Sequence, residues 1–480
     1  MGIFRTTDPT QFDDVDGIII NESAPAPNIA GVAANVAILV GQFQRGLQAL
    51  TEVGSIGQFH EQFGKSSYSG NLAMKNKRFG RLKLIRVIAS DAVLATINFA
   101  SSAVDRIKFD AKQGKGLYGN SIEVKIESGS VSGKKYTIRD TSVDAVLPDE
   151  VYDNVAIADI TSETFANSQL VVVTVLSSVA EPDNAAFTAL AAGADGTVAD
   201  GDYEDAIALA GVEGAGNVLF LDSYNATRNG YLELHAAETQ DKIVVLAGLE
   251  TDTPAQAIAD VANFRDVDGR IVYAYPWVQT SIDGVLTYQN PASWMASIIS
   301  QTSPHIDPAF TKNAQFLVGV TGLKQSLTRA NYIALKDAGI AGFERDVDIG
   351  FKVKSGVTTQ IADSSKVTIL RRRMSDFLTN SVSSFLKNYQ NGVNSASNRQ
   401  LVKGAMLGFI QSLESDGILP KDSEVSSGKA KLVDTESLNT DLSIAGGFFK
   451  ILWRQRIYSS MRYIILQAEI GESVVVTEQE

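Results

Sequence analysis

The sequence predicts a multidomain protein of the α/β and α+β classes, with extended strand arms at both ends. Three observations predict it. Apolar strand patterns alternate with helical ones between residues 193 and 321, as in a parallel sheet with helices on its faces. Residues 98–192 carry short strand-like runs separated by Gly, Ser, Asp and Asn clusters, which favours a β-rich insertion. Residues 366–413 hold two successive amphipathic helical patterns joined by a short polar linker.

The chain of 480 residues is too long for one ordinary core and suggests about three domains. A net charge of −13 argues against nucleic acid as the main partner. There are no cysteines, which excludes disulfides, thiolate metal sites and cysteine nucleophiles. The three histidines, His60, His235 and His305, show no metal-ligand spacing. No basic-then-apolar leader opens the chain, and no apolar run approaches the roughly 18 residues of a membrane span. These features lead to the expectation of a soluble protein made and kept in cytoplasm, or released only by lysis, with no membrane insertion.

Taken in order, residues 1–14 are polar and expected to be flexible. Residues 15–22 (VDGIIINE) form a strand pattern centred on Ile18, Ile19 and Ile20, and the prolines of APAPN after it enforce an extended path. A strand without a hairpin partner beside it has unpaired backbone groups and must pair elsewhere. Residues 31–40 and 81–89 read as strands, and 55–63 and 69–79 as short helices. Within the insertion, residues 105–111, 121–127, 135–139 and 169–176 are strand-like. The α/β alternation then runs through helical patterns at 203–210, 229–239 and 254–264 and apolar strands at 217–222, 242–248 and 270–275. A helix is expected at 294–300. Another spans 327–339, with Thr328 as N-cap and Gly339 as its stop. Strands are expected at 447–458 and 461–468. The C-terminal arm, with Ile464, Ile465 and Leu466, leads into an acidic tail.

Motifs for chemistry are weak. Residues 114–119 match GxGxxG, but a strand follows where dinucleotide binding needs a helix N-terminus, so a turn is expected. Residues 41–46 have P-loop glycine spacing without the Lys and Ser/Thr that would reach phosphate and Mg²⁺. Asp222, Ser223 and His235 are the local candidates for a hydrolase triad, without a G-x-S-x-G elbow. The carboxylate groups Asp13-Asp14-Asp16 and Glu344-Asp346-Asp348 lack calcium-loop spacing. No catalytic residue, metal or cofactor is assigned.

The two late helices stand out by charge. Residues 366–403 hold seven basic side chains and one acid, Asp376, inside an acidic protein. Leu370, Met374, Phe377, Leu378, Val382, Phe385 and Tyr389 share one helical face; Val402, Ala405, Met406, Phe409, Ile410 and Leu413 share another. At 100° per residue, Arg372, Arg373 and Lys387 fall opposite the first stripe, whereas Arg371 lies on its flank and is expected to pair within the protein. Lys403 flanks the second stripe. Gly404 and Gly408 leave a smooth strip.

The order of these features resembles the contractile tail sheath family of bacteriophages and related injection particles. The resemblance is carried by GIIINESAPAPNIAGVAANVAILVGQFQRG near the start, SIGQFHEQFG, GKGLYGNSIEVKI, LAAGADG, YAYPW at 273–277, NYIALKDAGI and the helix LRRRMSDFLTNSVSSFL, in the family's order over nearly the whole chain. It implies a structural subunit, not an enzyme, with a conserved α+β terminal domain built from both chain ends and a subtilisin-like α/β middle domain. The implied division is an N-terminal arm at 1–24, core at 25–97, insertion at 98–192, middle domain at 193–321, core again at 322–462 and a C-terminal arm at 463–480. It implies stacked rings of identical subunits around a tail tube protein, with baseplate and tail terminator proteins at the ends, in a virion tail assembled in the host bacterial cytoplasm. Contraction would drive the tube through the host envelope. The arm strands at Ile18, Ile19, Ile20 and Ile464, Ile465, Leu466 would link neighbouring copies by strand addition. Arg372, Arg373, Lys387 and Lys403 are then the candidates for the tube-facing surface. Two other classes remain open: another self-assembling viral shell protein, and an α/β hydrolase-like enzyme with a β insertion.

Overall fold

The computed structural model describes strands Gly2–Arg5 and Gly17–Ile20 and then residues 29–461, apart from 33–34, 144, 213, 215–216, 266–267 and 363–365. The chain divides into two compact units, Ala33–Asp376 with Ser459–Glu480, and Met1–Val32 with Phe377–Tyr458.

The larger unit is built on an eight-stranded sheet. Its order is Gly350–Val353, Ile340–Asp346, Ile271–Tyr275, Ile243–Ala247, Val218–Leu221, Val36–Gly41, Arg81–Arg86 and Thr51–Val53. The six inner strands are parallel, and the two edges are antiparallel. Every residue of Val36–Gly41, Val218–Leu221, Ile243–Ala247 and Ile271–Tyr275 is buried. Side chains alternate between the two faces of a strand, so both faces of the sheet centre are covered, and that is why these runs are continuously apolar. Pro291–Gln301 packs on this sheet and is buried from Pro291 through Ser300; Asn290 caps it, and proline occupies its first position. Val36–Gly41 and Arg81–Arg86 were expected in a terminal core separate from the middle domain. Both lie in the same sheet as Val218–Leu221, where Val36–Gly41 pairs in parallel with Val218–Leu221 on one edge and with Arg81–Arg86 on the other.

Two antiparallel sheets hold the insertion. One contains Thr96–Ser101, Val104–Ala111 and Val171–Val175; the other contains Ile122–Ser128, Lys134–Asp140, Glu150–Val155 and Ala185–Ala189. They share a core around Phe109, Tyr136 and Phe165, distinct from that of the large sheet. The GxGxxG stretch is a turn leading through a short 3-10 segment into Ile122–Ser128, and Gly114 and Gly116 take positive φ there. Arg45, fully buried, reaches Asp140 at 3.1 Å and so ties the loop after Val36–Gly41 to the insertion.

The smaller unit contains the end of helix Ile369–Leu386, the helix Ala396–Ser415 and an antiparallel pair, Lys431–Asp434 with Leu452–Gln455. Leu378, Val382 and Phe385 are buried, as are all six apolar residues expected on the face of Ala396–Ser415. Phe377 meets Phe409 with ring centroids 6.2 Å apart. Residues 431–434 were not read as a strand, since four residues with charged ends carry too little pattern. At the N-terminus, Gly17–Ile20 is not a lone strand. It pairs in parallel with Gly2–Arg5. Ile464, Ile465 and Leu466 lie outside the described residues. Among the described residues, no helix is long and apolar enough to cross a membrane.

Candidate assembly surface

The basic residues of helix Ile369–Leu386 do different jobs from those that helical spacing assigns. Arg373 was placed on the exposed face, but it is 2% exposed. Its guanidinium donates to the carbonyls of Thr302 at 2.7 Å and Ser303 at 3.3 Å. Thr302 caps the C-terminal end of Pro291–Gln301, where unsatisfied carbonyls and the helix dipole favour a cation. Burial lowers the Arg373 pKa to about 10, which still leaves it charged at neutral pH. Arg372 is also turned inward: it pairs with Asp376 one helical turn on and donates to the carbonyl of Asp268 at 3.3 Å. Asp376 takes a bidentate pair from Arg270 as well, at 2.9 and 3.0 Å, with both side chains buried. Arg371 donates to the Ser459 hydroxyl at 2.5 Å, so it pairs within the chain as its flanking position suggested. Arg372 and Arg373 thus hold the start of this helix to the α/β unit and are removed from the candidate tube-facing set. A helical wheel cannot show this, because it assumes that only the apolar side of a helix is covered.

Lys387 and Lys403 remain. Lys387 is exposed at the end of the same helix and forms no ion pair among the described residues. Lys403 is half-buried on Ala396–Ser415; its charge is a minor contributor, behind hydrogen bonds from Ser437 and Glu436, to an Asp434 carboxyl lowered to about 2. On the same helix Gly404 and Gly408 are exposed with open space beside them, next to a half-exposed Leu401. Lys431–Asp434 and Leu452–Gln455 each have one ladder partner, so each has a second, unpaired edge among the described residues.

The residues weighed for hydrolysis form a structural network. Asp222 follows Val218–Leu221 where the strand order reverses: the chain steps from Val36–Gly41 to one side of the sheet and from Val218–Leu221 to the other. Open α/β sheets bind ligands at such points. Here the carboxylate is filled by donors: Gln42 N at 2.7 Å, Ser69 Oγ at 2.5 Å and Tyr203 Oη at 2.7 Å. A Cβ on Gly41 would stand 2.8 Å from it, which explains a glycine at that position. Ser223 is held by Tyr203 at 2.9 Å and Arg228 at 2.5 Å. His235 lies about 13 Å further along helix Ala226–Thr239, near Gly211. Among the described residues, Ser223 and His235 form no hydrogen bond with each other. Glu344 and Asp346 are neutralised by Lys352 and Lys354.

Burial raises the Asp222 pKa above its ordinary 3.8, against the lowering effect of its donors. The folded state therefore keeps this proton to higher pH than the unfolded chain. Its stabilising contribution is complete below the ordinary carboxylate pKa and declines as pH rises above about 4 toward the folded value. Asp222→Asn is expected to lose that slope. Urea midpoints of the two proteins should converge or cross with rising pH, and a pH-independent offset would show that the carboxyl does not titrate in that window.

No protein-family model matches the sequence, and no curated protein matches it. Solved structures do. A sheath tail protein from Listeria innocua superimposes with a TM-score of 0.64 at 16% identity, covering 86% of this chain and 90% of its own. A sheath tail protein from Desulfitobacterium hafniense gives 0.59 at 17% identity, covering 88% and 94%. The helical sheath of the anti-feeding prophage, determined in the contracted state, gives 0.60 at 15% identity, covering 95% and 99%. These likenesses cover most of the chain, which therefore has the fold of the contractile-tail sheath proteins.

Proposed function

We propose that this chain is the structural subunit of a contractile sheath. Copies stack as rings around a tail tube, and the sheath shortens to drive the tube through a cell envelope. The observation that carries this reading is the likeness over nearly its full length to a sheath determined as a helical assembly in the contracted state. A heterologous contact that does not close on itself produces a helix, which is how identical subunits build a long tube. The N-terminal and C-terminal arms link neighbours by adding a strand to a sheet of the next copy, and the open edges of Lys431–Asp434 and Leu452–Gln455 are the acceptors that fit. The eight-stranded unit is the subtilisin-like body, used as a rigid block and not for catalysis. Baseplate and terminator proteins bound the assembly in a tail put together in bacterial cytoplasm.

Negative-stain microscopy of the purified chain tests this directly. Hollow striated tubes are expected, and closed shells or persistent monomers would overturn it.

The tube-facing charge in this reading comes from Lys387 and Lys403. Exposed pairs are worth about 0–1 kcal/mol each and are screened by salt, which suits a contact that must break on firing. Lys387→Glu with Lys403→Glu is expected to weaken assembly on the tube at moderate salt while leaving tube-free polymerisation intact. Equal co-sedimentation of tube with variant and parent would remove these lysines from the contact.

A further inference from the structure

Charge divides unevenly between the N-terminal arm and the edges it can join. From residue 6 through 44 the chain holds five acids, Asp8, Asp13, Asp14, Asp16 and Glu22, and no lysine, arginine or histidine. From 442 through 468 it holds Lys450, Arg454, Arg456 and Arg462 and no acid. The first stretch surrounds Gly17–Ile20, and the second contains Leu452–Gln455. Both strands are four residues long. Among the described residues each has one ladder partner, Gly2–Arg5 for the first and Lys431–Asp434 for the second, and so one open edge.

Side chains alternate along extended backbone, so Lys450, Leu452, Arg454 and Arg456 fall on one face. Arg456 N donates to the Ala430 carbonyl at 2.9 Å, which carries the ladder one residue past Gln455. Lys450, Arg454 and Arg456 are exposed and form no ion pair among the described residues. The neighbouring strand differs. Its Lys431 is neutralised by Glu414 at 2.5 Å, and Asp434 adds a negative charge. The open basic edge is therefore that of Leu452–Gln455. The C-terminal arm is a poorer match for it, because Ile464, Ile465 and Leu466 follow Arg462 and precede the first acid, Glu469.

Resting on the sheath reading and its strand-adding arms, we propose that the N-terminal arm of a second copy docks antiparallel on the open edge of Leu452–Gln455. The register is Gly17↔Gln455, Ile18↔Arg454, Ile19↔Trp453 and Ile20↔Leu452, in which the two strands coincide end to end. The same register sets Asp16 opposite Arg456 and Glu22 opposite Lys450, and opposite charges directly across a strand pair attract. A parallel docking of the same strands sets Asp16 opposite Ile451 and Glu22 opposite Ile457, and no charge pair forms. Backbone hydrogen bonds, which any strand offers, supply the pairing; charge selects the edge and the direction of the arm.

The chain has no cysteine, so introduced pairs report the register. Gly17→Cys with Gln455→Cys is expected to give a series of covalent multimers when assembled tubes are oxidised, because register partners lie within disulfide reach. Gly17→Cys with Leu452→Cys, partners in the parallel register, is expected to run as single chains on a non-reducing gel. Multimers from the second pair, multimers from neither, or a crosslink confined to single chains would overturn the proposal. Charge reversal tests the same register without cysteines. Lys450→Glu with Arg456→Glu is expected to lower tube yield several-fold at low salt, and adding Asp16→Lys with Glu22→Lys to the same chain should restore it. Unaltered yield from the first variant, or no recovery in the second, would also overturn it. Failure of the underlying arm reading has a different signature: tubes that persist when residues 1–22 are all removed.

Discussion

Asp376→Asn is expected to destabilise the larger unit by about 3–5 kcal/mol, the scale for stripping one partner from a buried ion pair. Asp376 holds Arg270 through two hydrogen bonds at 2.9 and 3.0 Å, and Arg372 through a third contact. Asn keeps the shape but cannot neutralise either guanidinium, so Arg270 is left with a buried charge and a single amide oxygen to accept from it. The urea midpoint should fall with the slope unchanged, because the surface exposed on unfolding is the same. Arg372→Ala should cost less, since that side chain is 13% exposed and its partner keeps Arg270. Combining Asp376→Asn with Arg270→Met should recover much of the loss, as well-packed apolar replacements of buried pairs often do. A loss under about 1 kcal/mol for Asp376→Asn would mean the pair is solvated, on the scale of an exposed pair.

Removing residues 1–22 is expected to abolish polymerisation while leaving a folded monomer. The deletion takes away both N-terminal strands and touches none of the described core from Ile29 onward. An isolated ladder of this length adds little to the stability of a domain, so far-UV spectrum and melting temperature should hold. Under the proposed sheath assembly, the same strand supplies one link per copy, and a helical polymer lacking that link has no continuous mesh. Sedimentation should report monomer under conditions where the full chain forms tubes. Tubes of ordinary length from the truncated chain would show that the links lie elsewhere.

Much of the architecture was legible in residue order. The continuous apolar runs at Val36–Gly41, Val218–Leu221, Ile243–Ala247 and Ile271–Tyr275 announce strands covered on both faces. The stripe through Leu370, Met374, Leu378, Val382 and Phe385 announces a helix with one packed side, and those residues are buried. Thr328 and Gly339 mark a helix that the structure places at Arg329–Asp337. These features are local: a period of 2 or 3.6, a cap, a turn residue.

Long-range pairing was not legible. Nothing in residues 25–97 says that three of their strands share a sheet with residues 218–275, because strand order depends on which hydrogen-bonding edges meet. The partner of Gly17–Ile20 was missed for the same reason. The largest revision concerns the triple arginine. Chain order shows that positive charge is concentrated at Arg371, Arg372 and Arg373, and nothing more. The groups that consume that charge, Arg270 with Asp376, the Asp268 carbonyl and the end of Pro291–Gln301, come together through folding over separations of 70 to 106 residues. Local periodicity therefore specified the elements and their apolar faces, since those follow from backbone geometry. Which charged faces are open to a partner was settled by packing, because a side chain's exposure depends on what distant segment covers it.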